Sequence, residues 1–153
     1  MNVEENIVKL GLNLPPPPSP VGLYKPILVV GNLAYLSGHG PVENSGNLTK
    51  GKVGENLSIE EGKSAARQVG LTLLATIKNH FGNLEQISRV VKLLGLVNCP
   101  SDFVDHPTVI NGCSELFSEL FGADNGIGVR SAIGTNSLPG NIPVEIEAIF
   151  QLR

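Results

Sequence analysis

The sequence predicts an α+β domain in which two helices cover one face of a β-sheet. Three observations carry this prediction. Two segments place apolar residues at helical spacing, other segments have the composition or alternation of strands, and 153 residues are enough for one domain with a sizeable core. The predicted order is hairpin, helix, strand, helix, strand, strand. In this arrangement the second face of the sheet stays open unless something covers it.

Residues 1–20 are predicted to form an N-terminal arm, and residues 21–153 a single domain. A weak amphipathic pattern within residues 1–14 is compatible with a short helix. Residues 15–20 read Pro-Pro-Pro-Pro-Ser-Pro, which favours extended polyproline II structure. We expect an ordered lead-in arm; a ligand for a proline-binding module is the alternative.

The domain is predicted to begin with a hairpin over residues 26–36. Two β-rich runs flank Gly31-Asn32, a dipeptide suited to the positive φ values of a tight turn. Residues 37–41 are expected to break the second strand. Residues 43–56 are rich in Asn, Gly and Lys, which indicates an exposed loop or an edge hairpin.

A long helix is predicted next. Ser58 and Glu61 form a capping box, and Gly82 is a suitable stop. Its apolar face is predicted to hold Ile59, Gly62, Ala66, Val69, Leu73 and Ile77.

The second half of the chain supplies strands around a second helix. Residues 89–97 are apolar and β-prone. Pro107 opens a helix that ends near Gly122, with an apolar stripe of Val109, Ile110, Cys113, Leu116, Phe117 and Leu120. Residues 127–135 and 143–152 are predicted to be closing strands. In the last strand, apolar residues alternate with Glu145 and Glu147.

Composition limits the function classes. Charged residues make up 16% of the chain, against an average of about 25%, which excludes disorder for most of it and indicates that some neutral surface meets another subunit. The net charge of −3 argues against neutralisation of a phosphate backbone, so we expect no nucleic-acid partner. The apolar runs are too short to cross a membrane. Two cysteines without metal or disulfide spacing favour a reduced, cytoplasmic protein.

Two charges on the last strands are the strongest candidates for chemistry. Arg130, Ala132 and Gly134 share one side of their strand. If that strand pairs antiparallel with residues 143–152, Arg130 and Glu145 lie on one face. Arginine on a rigid strand suits bidentate capture of a carboxylate, and Glu145 could hold a water or shuttle a proton. The alternative is a structural ion pair within an interface.

His39 lies between two glycines in Ser37-Gly38-His39-Gly40. Such a segment offers free backbone N–H groups to an anion or a carbonyl group. An ordinary turn is the alternative.

Three segments resemble the RidA/YjgF-like family of reactive-intermediate deaminases. Residues 31–38 (GNLAYLSG) resemble its early Ser-Gly motif, and the helix around Asn111 resembles the family's Asn-containing helix. Arg130, the pair Leu138-Pro139 and the run of residues 144–148 (VEIEA) fall at the spacing of its C-terminal signature.

The resemblance implies a chorismate mutase-like fold, a homotrimer, and three sites in clefts between subunits. It implies hydrolysis of enamines and imines, such as 2-aminoacrylate, to keto acids and ammonia without a metal or organic cofactor. The expected ligand is a small molecule bearing a carboxylate, clamped by Arg130, with the attacking water held by Glu145. Substrate-binding positions would be Tyr24, Ser37, Gly38, His39, Asn111 and Ala132.

Two residues depart from the family pattern. Ala132 stands where family deaminases commonly have Cys or Thr, and His39 stands where Gln is usual. These differences leave open a non-catalytic small-molecule binder or sensor. RNA cleavage, attributed to some relatives, has little support from the acidic pI of about 5.6 and the two tyrosines without tryptophan.

Overall fold

A computed structural model describes residues 2–153 of the chain. The helices are α1 (Val3–Lys9), α2 (Ile59–Phe81), α3 (His106–Phe121) and α4 (Ala123–Gly126). The strands are β1 (Ile27–Val30), β2 (Leu33–His39), β3 (Ile87–Asn98), β4 (Val129–Thr135) and β5 (Val144–Leu152), with a 3₁₀ turn at Pro139–Asn141 before β5. All the predicted elements are present, and α4 was not predicted.

The five strands form one sheet in the order β1-β2-β5-β3-β4. The long helices α2 and α3 pack on the same face, and the core between helices and sheet includes Leu73, Ile110, Phe117, Ile146 and Phe150. This arrangement confirms the predicted α+β class with two helices on one face.

Strand β4 does not pair with β5, so the condition under which Arg130 and Glu145 would lie on one face is not met. Strand β5 is central, with β2 on one side and β3 on the other, so it has no free edge for β4. Strand β4 instead pairs in parallel with β3, because α3 returns the chain over the sheet between them. Neighbours in sequence are therefore not neighbours in the sheet at this end of the chain.

Helix caps and the hairpin turn agree with the sequence predictions more closely than the strand arrangement does. The Ser58–Glu61 capping box is present, and Gly82 closes α2 with a φ of 84°. In the hairpin turn Gly31 has a φ of 59°, whereas Asn32 does not adopt a positive φ. Residues 37–39 do not break β2, which continues to His39 through an irregularity in its register with β5. Residues 43–56 form a loop held by isolated bridges.

The second face of the sheet is open in the single chain. Leu28 and Tyr35 on the first hairpin are 49% and 41% exposed, and Val129 and Ile133 on β4 are 67% and 47% exposed. The neutral surface expected from the composition therefore lies on the sheet face that the helices do not cover. Within residues 2–153, no helix is long and apolar enough to cross a membrane.

Candidate functional site

Glu145 and Gly38 are brought together at the junction of β5 and β2. Glu145 follows Val144, whose side chain is buried beneath the helices, and strand alternation therefore turns Glu145 toward the open face. A methyl group on Gly38 would lie 2.6 Å from Oε2 of Glu145. The carboxyl group thus occupies space that only a glycine at position 38 leaves free.

Tyr24 and Ser37 lie beside this pair. The Ser37 hydroxyl donates a hydrogen bond of 2.6 Å to the carbonyl of Lys25, which ties β2 to the segment that carries Tyr24. The Tyr24 hydroxyl accepts a hydrogen bond of 3.3 Å from the backbone of Val21. Tyr24 is 45% exposed, so much of its ring remains available to a ligand.

Two hollows meet at Tyr24. The larger is a depression of about 540 Å³ on the open sheet face, which includes Ser37 and Glu147 in its lining. The smaller is a cavity of about 130 Å³ that reaches Gly38 and Glu145. The predicted positions Tyr24, Ser37, Gly38 and Glu145 therefore form one continuous region.

The carboxyl group of Glu145 is half-buried, and this burial raises its pKa above the ordinary value for glutamate. The negative charge of nearby Glu147 raises the pKa further. A carboxyl group in this state can exist in either protonation form closer to neutral pH, which suits proton transfer.

The His39 side chain lies on the helix side and is only 4% exposed. Its Nδ1 lies 2.6 Å from the Ser37 carbonyl, so Nδ1 carries the proton and donates it. Its Nε2 then accepts from the Thr76 hydroxyl at 2.8 Å. Burial is the main cause that lowers the pKa of His39. Both ring nitrogens are engaged, which leaves the backbone of His39 as its means of contacting a ligand.

Arg130 lies on the edge strand β4 and points toward the helix layer. It is in register with Leu93, a buried residue beneath the helices. Its Nη1 donates to the Ser114 hydroxyl at 3.0 Å, and its Nη2 donates to the Pro107 carbonyl at 3.3 Å. A guanidinium group has five N–H donors, so α3 fixes its position while leaving donors for a ligand.

Asn111 and Ala132 lie near the Arg130 side of the molecule. Asn111 is four residues after Pro107 and three before Ser114, which places it on the same face of α3 as both contacts of Arg130. Ala132 follows Arg130 by two residues on β4 and packs against the core. These three predicted positions form a second group.

The expectation that Arg130 and Glu145 share a face of one chain is wrong. In the sheet, Arg130 pairs with Leu93 of β3, and Leu93 pairs with Ala148 of β5. Ala148 is three residues from Glu145, and β5 lies two strands away from β4. From strand geometry, their Cα atoms are about 14 Å apart. Their side chains also leave opposite faces of the sheet, so the parallel pairing of β4 separates them.

Sequence reasoning missed three contributors. Ser114 holds Arg130, Thr76 holds His39, and the proline arm lines the cavity beside Glu145. Ser114 and Thr76 lie on amphipathic helices that carry many other polar residues, and their partners come from distant strands, so the sequence does not single them out. Among residues 2–153, no cluster of three or more His, Cys, Asp or Glu side chains could hold a metal ion.

The chain matches a family model along most of its length. The model is described as "YjgF/chorismate mutase-like, putative endoribonuclease", and the match covers residues 4–144.

Individual relatives agree with this match. A protein called TCP17 from Trypanosoma cruzi is 33% identical, with 99% of this chain and 94% of TCP17 covered. A 2-iminobutanoate/2-iminopropanoate deaminase from Dermatophagoides farinae is 28% identical, with 93% and 95% covered. The crystal structure of Atu1372, a protein of unknown function from Agrobacterium tumefaciens, is 37% identical and superposes with a TM-score of 0.87, covering 98% of this chain and 91% of that one.

Proposed function

The chain belongs to the YjgF/chorismate mutase-like family, and we propose that it hydrolyses the imine or enamine of a 2-amino acid to a 2-keto acid and ammonia. The similarity to a 2-iminobutanoate/2-iminopropanoate deaminase supports the reaction class. One observation carries the proposal: the Glu145 carboxyl group, with its raised pKa, lies over Gly38 and beside Tyr24 in a ligand-sized hollow.

The reaction needs one water molecule and no redox change. Enamines tautomerise to imines, and water then adds to the imine carbon. The carbinolamine collapses as the C–N bond breaks, ammonia leaves and the C=O bond forms. In its ionised form Glu145 accepts a proton from the attacking water, and it can return the proton to the leaving nitrogen. No strong base is required when the substrate is held in position.

Arg130 is the proposed partner of the substrate carboxylate. Hydrogen bonds from its guanidinium group to Ser114 and Pro107 reduce the entropy that would be lost on binding. Within one chain, the side chains of Arg130 and Glu145 leave opposite faces of the sheet. The active site therefore takes Arg130 from one copy of the chain and Glu145 from another. The exposed apolar face that includes Leu28, Tyr35 and Ile133 is the proposed contact surface of a homotrimer.

The test is a coupled assay in which an amino-acid oxidase generates the imine in situ. Semicarbazide trapping reports the imine that escapes hydrolysis. Wild-type protein is expected to reduce trapping, whereas Arg130→Ala reduces kcat/KM at least 100-fold and leaves the oligomer intact. Loss of a charged interaction of this kind typically costs about that much. Arg89→Ala is the matched control, since Arg89 pairs with the exposed Asp124. Full activity in Arg130→Ala contradicts the proposal.

A non-catalytic binder is the second candidate. It is favoured by Ala132, which brings no thiol or hydroxyl, and by the engaged ring of His39. This candidate predicts saturable, Arg130-dependent binding of 2-keto acids by calorimetry with no effect of the protein on imine trapping. Accelerated hydrolysis at catalytic protein concentrations eliminates it.

A further inference from the structure

The cavity beside Glu145 has a wall that comes from the N-terminal arm. Residues 18–21 form this wall, with Tyr24 and Pro26 following them. The remaining lining residues are Gly38, His39, Gly40, Val42, Leu48, Pro139, Ile142 and Glu145. The arm therefore closes a space that the sheet and loops alone would leave as a groove.

The lining of this cavity is mostly apolar. Among the described residues that form it, Glu145 supplies the one carboxyl group, while Leu48 and Ile142 supply branched aliphatic groups. Gly40 lets these two side chains pack against the backbone, because a methyl group there would lie 2.9 Å from Cδ1 of Ile142 and 3.3 Å from Cδ2 of Leu48. An apolar pocket with one polar end suits a molecule with a reacting polar group and a hydrocarbon tail.

The arm is fastened before it reaches the cavity. In α1, the Asn6 side chain donates to the Leu120 carbonyl at 2.8 Å. Further on, Pro15 and Pro17 line a separate hollow against α2. Successive prolines in an extended run point in different directions, so Pro18 and Pro20 face the cavity while Pro17 faces α2. The wall is thus preorganised, and little entropy is lost when a ligand packs against it.

The size of the cavity limits its occupant. A protein cavity of about 150 Å³ is known to hold benzene, so the present 130 Å³ accommodates a hydrocarbon group of about four to six carbons. With the imine carbon at Glu145, the side chain of a 2-imino acid is the part of the substrate that can enter.

We propose that residues 18–21 wall an apolar subsite for the hydrocarbon side chain of the 2-imino acid, so that a branched four-carbon side chain is preferred over methyl. This inference rests on the proposed function and names its substrate class. During turnover the C=N bond is replaced by C=O and ammonia leaves, as above, while the side chain stays unchanged in the subsite.

The experiment compares imines formed by an amino-acid oxidase from leucine and from alanine. For the wild type, kcat/KM is expected to be at least about tenfold higher for the leucine-derived imine, since each buried methylene contributes about this factor or more. The double variant Pro18→Gly/Pro20→Gly is expected to lose most of this preference, so that the ratio of its kcat/KM for the leucine-derived imine to that for the alanine-derived imine falls toward one. Leu48→Phe, which fills the cavity, is expected to act in the same direction.

Pro15→Gly/Pro17→Gly is the matched control, because it loosens the same run on its other side. Its leucine-to-alanine ratio is expected to equal that of the wild type. An equal ratio in both double variants, or a wild type that hydrolyses the two imines alike, overturns the subsite while the proposed function stands. If wild-type protein hydrolyses neither imine, the proposed function fails and the subsite fails with it.

Discussion

The carboxyl group of Glu145 lies against the backbone of Gly38, at a point where a single added methyl group would be 2.6 Å from Oε2. The two residues come from strands β5 and β2, which are adjacent in the sheet although more than a hundred residues separate them in sequence. The contact holds the carboxyl group half-buried between the open face and the arm-walled cavity. This position explains its raised pKa and makes Gly38 a sensitive point for substitution.

Gly38→Ala is expected to displace the Glu145 carboxyl group and to lower kcat/KM by about 10- to 100-fold, in line with misplacement of a catalytic group by about 1 Å. Circular dichroism should show an unchanged fold, since position 38 does not have a positive φ. In the Glu145→Gln background the same substitution should cause little further loss. Additive losses in the double variant would separate Gly38 from Glu145.

Ser114→Ala removes the hydroxyl that accepts from Nη1 of Arg130. The guanidinium group would keep its contact with the Pro107 carbonyl but would sample more orientations, so KM for the imino acid should rise about three- to tenfold with kcat nearly unchanged. Ser118→Ala, one turn further along α3, is the control and should behave as wild type. A purely structural role for Ser114 would lower thermal stability without moving KM.

His39→Gln is expected to change how stability depends on pH. Because burial lowers the pKa of His39, the unfolded chain takes up a proton near pH 6.5, the usual value, whereas the folded ring takes it up only at a lower pH. The free energy of unfolding of the wild type therefore contains a contribution that falls as the pH drops below about 6.5. Glutamine does not titrate, and its amide can still pair with Thr76.

Calorimetric melting from pH 7 to pH 5 checks this expectation. The variant should lose less stability over that range than the wild type, and the gap between their Tm values should shift in favour of the variant as the pH falls. Parallel curves for the two proteins would show that His39 does not titrate differently in the folded and unfolded states.

Much of the fold could be predicted because its signals are local. The Ser58–Glu61 capping box, Gly82, and the alternation in residues 144–150 each depend on neighbours in sequence, and each is confirmed. Strand pairing depends on distant residues, and the antiparallel pairing with β5 that was considered for β4 is not the one observed. Adjacent strands in sequence usually pair, but α3 carries the chain across the helix layer and delivers β4 to the far edge of β3.

The sequence could propose residues for the candidate site but not their arrangement, and their roles stay predictions. The family-like motifs nominate Arg130 and Glu145, yet no sequence pattern reveals that the two side chains leave opposite faces of the sheet. The environment of His39 was equally hidden, because the ring pairs with Thr76 on a different element. The role of the arm as a cavity wall was also hidden, because Pro18, Pro20 and Glu145 line the same cavity only in the folded chain.

The central claim is that each active site combines Arg130 of one copy with Glu145 of another, and subunit complementation tests it most directly. Arg130→Ala and Glu145→Gln proteins, each inactive alone, are mixed in equal amounts, dissociated and reassembled. In trimers that assemble at random, each site takes position 130 from one subunit and position 145 from another. Half of the sites receive an intact Arg130 and half receive an intact Glu145, so about a quarter of the sites receive both. The account predicts recovery of about that fraction of wild-type imine hydrolysis. A reassembled mixture as inactive as its two components would contradict it.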